Sequence, residues 1–386
     1  MTTLLRRCRQ WYGLAAVVAA TTAIAQTEQW LQYHISSSGQ GYRWLELTTN
    51  APAGVALPKL NAQPYFARWT TPLDAKGGRW ICFDRTRKSG PCNRLFIDLN
   101  GNDRLDDEAP LDAARVDPYS ASFDPARLVF KGEDGPLTYH LILRFMRYGA
   151  EDSRALASSG CYYDGKVNFD GKKRLVRLVD GNANGTFNDL AQDPEDCDQV
   201  VVEGDKAGER FLGQMLEVGD QFFAFEAARD GAFLKVEPAK NVARGQVRVP
   251  DAISEFTAVG VPGHFIRKPA QGEFTLPAGK YRVHRWTIDR ADNKGADWQL
   301  SGSGFGDFGS FEVTANQPVT LDVGEPVLAA LTATENKGGA AFSLRLKGRL
   351  GESVEIQKGG QRPRAPQLTL AGTGSAFRAT NTFEYG

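Results

Sequence analysis

Two stretches of the chain repeat one spacing of oxygen-bearing side chains. The first runs Arg94-Leu-Phe-Ile-Asp98-Leu-Asn100-Gly-Asn102-Asp-Arg104-Leu-Asp106-Asp107-Glu108, and the second runs Arg177-Leu-Val-Asp180-Gly-Asn182-Ala-Asn184-Gly-Thr186-Phe-Asn-Asp189. Aligned on the leading Asp, both place Asp or Asn at positions 1, 3 and 5, an apolar residue at position 8 and a carboxylate at position 10. Each copy follows a short apolar run, so the chain must twice end a strand and turn sharply. In a tight loop alternate residues aim their oxygens at one centre, and a hard Ca²⁺ ion takes about six to eight oxygens at about 2.3–2.6 Å. The expected ligands in the first loop are Asp98, Asn100, Asn102 and the Arg104 carbonyl, with Asp106, Asp107 or Glu108 closing the shell. In the second they are Asp180, Asn182, Asn184, the Thr186 carbonyl and Asp189, with Asp193 or Glu195 as further candidates. Leu105 and Phe187 at position 8 would pin each loop to the core, and Gly185 at position 6 would supply the bend. Asn-rich turns that cap only their own backbone are the alternative reading, and recurrence of the spacing favours the cation.

The pattern resembles the DxDxDG calcium loop of EF-hand-like proteins. It departs from that loop at position 12, where Ala109 and Ala191 replace the bidentate Glu, and at position 6 of the first copy, where Asp103 stands for Gly. Asp tolerates left-handed backbone better than most residues. Strands precede both copies, so the expectation is calcium loops on a β scaffold and not a helix-loop-helix sensor. Residues 65–237 also resemble, in texture, a class of exported bacterial β-rich proteins whose strands end in such loops, a resemblance that carries no activity with it.

Apolar and polar residues alternate with period two over 33–35, 42–47, 137–145, 175–179 and 222–225, the signature of half-buried strands. Turn clusters separate them, such as Lys76-Gly77-Gly78, Asp170-Gly171 and Arg229-Asp230-Gly231. The fold class expected is all-β: a β-rich region over residues 26–245 carrying the two loops, then a β-sandwich over 246–386. A peripheral helix is expected over 205–216, where Phe211, Leu212, Met215 and Leu216 have helical spacing. Within the second region, Phe274-Thr-Leu-Pro-Ala-Gly-Lys-Tyr-Arg-Val283 resembles the strand-turn-strand of transthyretin-like and carboxypeptidase-regulatory β-sandwich modules.

Residues 1–25 join a basic start at Arg6, Arg7 and Arg9 to an apolar run that ends in Ala23-Ile24-Ala25. This is the pattern of a secretory signal peptide, so a periplasmic or extracellular location is expected, with no transmembrane segment after cleavage. Cleavage would leave 43 basic against 46 acidic side chains, a net charge of −3, which offers no general field for nucleic acid. It would also remove Cys8, leaving Cys82, Cys92, Cys161 and Cys197. An even count in an exported chain points to disulfides, with Cys82–Cys92 and Cys161–Cys197 the pairing that proximity favours among three connectivities.

Signals for catalysis are weak. Four histidines, at 34, 140, 264 and 284, show no metal-binding spacing. Gly304-Phe-Gly-Asp-Phe-Gly309 matches G-x-G-x-x-G but has no helix after it, so it reads as a Gly-rich hairpin. Asp98 and Asp180 each follow an apolar strand, as a catalytic carboxylate pair would, yet neither is followed by the Thr-Gly or Ser-Gly of an acid protease. Trp44, Trp69, Trp80, Trp286 and Trp298 are candidates for a carbohydrate-binding face, although strand aromatics are more often core. The chain therefore reads as an exported calcium-binding protein with a structural or binding role in the cell envelope or extracellular space, its partner a protein or a glycan. The alternative is a secreted hydrolase or carbohydrate-binding accessory module.

Overall fold

Alternating burial carries most of the architecture. In Ala126–Lys131 every second side chain is buried, and Gln221–Ala227 keeps a similar rhythm. Such strands bury one face and need a second sheet to cover it. The structure is a computed structural model, and it describes residues 28–385 except 62, 88–89, 133–134, 150–151, 191–195, 206–207 and 337. The signal-like segment lies outside the described residues, as do Asp193 and Glu195. Strand accounts for 54% of the described residues and helix for 1%, so the fold is all-β.

Four sheets share the first hydrophobic core, which extends from Leu31 to Val236 and includes Trp69, Phe83, Tyr139, Phe145 and Leu234. One sheet orders Tyr65–Thr70, Gly78–Asp84, Arg94–Ile97 and Leu111–Asp112. A second has Tyr42–Leu45 at its edge, then Ser153–Ser159 and the long strand Pro136–Arg147. A third runs Glu209–Phe211, Gln199–Val202, Lys172–Val179, Cys161–Phe169 and Gln32–Ile35. The fourth orders Glu28–Trp30, Phe233–Pro238, Gln221–Ala227 and Met215–Val218. The Asp170-Gly171 turn joins two antiparallel strands with both residues at positive φ, 49° and 86°, the type I′ geometry that suits right-twisted hairpins.

A second core lies between a small sheet built on Arg244–Arg248 and Glu273–Pro277 and a larger one built on Glu255–Gly260 and Gly279–Ala291. Val247, Phe274 and Leu276 face Phe256, Tyr281 and Trp286 across it, a sandwich-like arrangement. The Phe274–Val283 stretch does not fold as a hairpin. Its two strands enter different sheets, and the chain crosses between layers at Ala278.

Three expectations are corrected by the chain's path. The described residues of 205–216 contain no helix. Glu209–Phe211 and Met215–Val218 are strands of different sheets. Between them Gly213 passes so near Gly263 that a Cβ would lie 2.3 Å from its Cα. The Gly304–Gly309 stretch is not a hairpin. Gly306–Gly309 is a 3₁₀ turn, and the strands on either side pair separately with Gly279–Ala291. Among the described residues no disulfide is formed. Cys82 packs with Phe66, Phe96 and Leu105, and Cys92 and Cys161 belong to the first core, so these thiols act as small buried hydrophobes.

Candidate cation loops

Both Asp/Asn loops begin where a strand ends, after Arg94–Ile97 and after Lys172–Val179. Their backbones match position by position. Position 4 has positive φ in each, 77° at Gly101 and 50° at Ala183, and so does position 6, 63° at Asp103 and 100° at Gly185. Asp98 at position 1 accepts the N–H groups of Gly101 (2.7 Å), Asn102 (3.1 Å) and Asp103 (3.0 Å). Asp180 accepts those of Asn184 (3.1 Å) and Gly185 (2.7 Å). The position 3 amide oxygens, on Asn100 and Asn182, each accept the position 5 N–H. The position 5 oxygens, on Asn102 and Asn184, each accept the N–H of position 7. Finally, the position 5 amide donates to the position 10 carboxylate, at 2.7 Å to Asp107 and 2.8 Å to Asp189. Leu105 and Phe187 at position 8 are buried, as the sequence implied.

The flanking candidates separate. Asp106 turns away to pair with the Arg104 guanidinium at 2.7 Å. Glu108 folds back so that one oxygen accepts the N–H groups of Leu99 (2.8 Å) and Asn100 (3.3 Å), and burial raises its pKa. Asp107 is therefore the side chain that closes the first loop, and the Asn102 hydrogen bond holds its carboxyl below the usual range. Thr186 adds a hydroxyl 2.7 Å from both the Asn184 amide oxygen and the Asp189 carboxylate, which share its one proton.

The two loops differ in what balances their charge. Beside the first, Arg79 is buried, with Nε 2.6 Å from Asp74 and Nη1 3.9 Å from Asp98, and its guanidinium covers the Phe130 ring at 4.9 Å. Among the described residues the second has no such cation. Asp180 is fully buried and takes a further hydrogen bond from the Tyr139 hydroxyl at 2.8 Å. Asp198, also fully buried, accepts the N–H of Gly181 (3.0 Å) and that of Asp189 (2.7 Å). Burial pushes Asp180 up to about 7, opposed by the Gly185, Tyr139 and Asn184 donors. Burial and the Asp180 and Asp189 charges raise Asp198 well above the usual range. Among the described residues no basic side chain pairs with Asp180, Asp189 or Asp198.

Two further side chains brace the second loop. Trp69 donates its indole N–H to the Ala183 carbonyl at 2.7 Å, and Arg43 donates Nε to the Asn182 carbonyl at 2.8 Å. Sequence spacing pointed to neither, nor to Asp198 or Arg79, because all four arrive through strand pairing. Among the described residues no three His, Cys, Asp or Glu are gathered tightly enough to hold a metal by themselves; each loop's donors are mixed carboxylates and amides. The histidines lie on strands. His34 pairs with Asp164 at 2.9 Å, His140 meets the Tyr33 hydroxyl at 2.6 Å, and His264 and His284 flank Phe211. Trp69 and Trp286 are core residues, Trp80 and Trp298 are half-buried, and Trp44 is exposed. No helix among the described residues is long and apolar enough to cross a membrane. Comparison of the chain with protein-family profiles, curated proteins and solved structures returns no match.

Proposed function

We propose that the two loops are calcium sites and that the chain is an exported, calcium-stabilised β protein with a structural or binding role in the cell envelope or extracellular space. One observation carries this reading. Asp180, Asp189 and Asp198 converge on the second loop, two of them fully buried, with no basic side chain among the described residues to offset them. Buried carboxylates without a counter-charge either take up protons or bind a cation. Alternating amide and carboxylate oxygens suit Ca²⁺ over softer metals. Asp180, Asn182, Asn184, the Thr186 carbonyl and Asp189 would hold the ion there. In the first loop Asp98, Asn100, Asn102, the Arg104 carbonyl and Asp107 would do so more weakly, because Arg79 already sits beside Asp98. At a dissociation constant of about 10⁻⁴ M and about 1 mM calcium outside the cell, each filled site adds about 1.4 kcal/mol by mass action.

Thermal melting with calcium and with EDTA tests the assignment. Calcium should raise the melting temperature by several degrees, and Asp189→Asn should remove most of that rise. Equilibrium dialysis with ⁴⁵Ca should find one tighter and one weaker site. A melting curve indifferent to both reagents would end the proposal.

A further inference from the structure

The edge strand Tyr42–Leu45 and the edge strand Tyr65–Thr70 diverge after touching at one point. Thr48 and Phe66 exchange backbone hydrogen bonds of 2.9 and 2.7 Å at one end. At the other, the Arg43 guanidinium spans the gap to the carbonyl (3.3 Å) and hydroxyl (2.9 Å) of Thr70. Between these closures runs a groove of about 950 Å³, within the usual range for small-ligand sites. Its length from Arg43 to Thr48 is about 16 Å at strand rise.

Tyr42 and Trp44 on one face of the Tyr42–Leu45 strand and Arg43 on the other all border this groove. Tyr42 and Trp44 are 59% and 52% exposed. They stand two residues apart on one strand, so their side chains share a face about 7 Å apart. Arg43 and Arg68 supply two positive groups, Glu46 and Asp196 two negative ones, and the Arg154 guanidinium lies over the Trp44 ring at 6.0 Å. Arg43 is held in place by its bond to the Asn182 carbonyl, so one wall of the groove is fixed before any ligand arrives.

We infer that this groove binds a short neutral oligosaccharide. Sugar rings present C–H faces that pack on Tyr and Trp, and hydroxyls that both donate to carboxylates and accept from guanidinium groups. The mixed charge disfavours a polyanion, which would meet Glu46 and Asp196, and a polycation, which would meet Arg43, Arg68 and the Arg154 guanidinium over Trp44. An extended peptide added as a strand would need a continuous free edge, and here the edge is closed at both ends within a few residues. No groove residue is a proposed calcium ligand side chain, so sugar binding and calcium binding can be tested separately, although Arg43 is anchored on the second loop through the Asn182 carbonyl.

Isothermal titration of the mature chain with cello-, xylo-, manno- and chito-oligosaccharides is the test. At least one should bind, and Trp44→Ala and Tyr42→Ala should each weaken that binding by about tenfold. Trp44→Phe, which keeps a platform, should retain most of it. Trp30→Ala, 67% exposed on another sheet, should leave it unchanged. A circular dichroism spectrum matching the parent shows that each variant is folded, and Glu46→Gln supplies a milder variant if Trp44→Ala is not. The inference fails if none of the four sugars binds at millimolar concentration. It also fails if folded Trp44→Ala binds as the parent does, or if an unstructured peptide displaces the sugar.

Discussion

Replacing Arg79 with Ala tests the account of the first loop most directly. The guanidinium is buried between Asp74 and Asp98 and lies over Phe130. Truncation leaves two carboxylates in a site with little water, and removing one partner of a buried ion pair costs about 3–5 kcal/mol. Lost packing of the side-chain stem on Phe130 adds to this. Urea denaturation in EDTA, followed by tryptophan fluorescence, should show Arg79→Ala losing stability in that range. The double variant Arg79→Ala/Asp98→Asn should recover about 1–3 kcal/mol, because an amide at 98 carries no charge and its one oxygen still accepts the Gly101 and Asn102 N–H groups, while the Asp103 N–H loses its acceptor. Calcium should then stabilise Arg79→Ala more than the parent, since the ion can take the place the guanidinium held. A loss below about 1 kcal/mol, or costs that simply add in the double variant, would refute the reasoning.

Other outcomes follow from the same geometry. Phe187 is buried edge-on against Tyr163 at 5.1 Å, and Phe187→Ala should cost about 3–5 kcal/mol in the same urea assay and abolish the calcium-dependent shift in melting. Burial raises Asp180 to about 7, so the folded state holds that proton more tightly than the unfolded chain. With chelator, the contribution of this group should be full below about pH 4 and decline as pH rises towards 7, at up to about 1.4 kcal/mol per unit. Melting temperatures across that window should therefore fall in EDTA but not in calcium, and Asp180→Asn should flatten the slope. Burial pushes the Cys161 thiol up to about 11 and raises Cys82 and Cys92 as well. Alkylation at pH 8 should reach these three only after denaturation, and rapid labelling of the folded protein would contradict their placement.

Much of the fold was legible because period two is hard to mistake when it recurs between glycine turns. Asp103 shows how far the reading extended: the sequence placed it where left-handed backbone was needed, and its φ is 63°. Residues 205–216 show where it ended. The spacing of Phe211, Leu212, Met215 and Leu216 suits one helix or two short strands broken at Gly213, and only the strands that receive them decide between the two. The loops were local and so were visible. Their electrostatics were not, because Arg79 reaches Asp98 from a neighbouring strand and Asp198 reaches the second loop across a paired strand. Ala183 was also hidden, since nothing in an alanine announces positive φ. The groove was half visible: Trp44 was noted among five tryptophans, but which of them face solvent is a property of layers.

One contact joins the two halves of the site. Arg79 and Trp69 are cross-strand partners, and both rest on the Phe130 ring, at 4.9 Å and 6.3 Å. Arg79 leans on one loop while the indole of Trp69 holds the carbonyl of the other. A single aromatic ring thus serves as a shared bearing for two separately encoded turns. Ions arriving at one should sense whether the other is already in place, and titrations fitted as two independent events should leave systematic residuals.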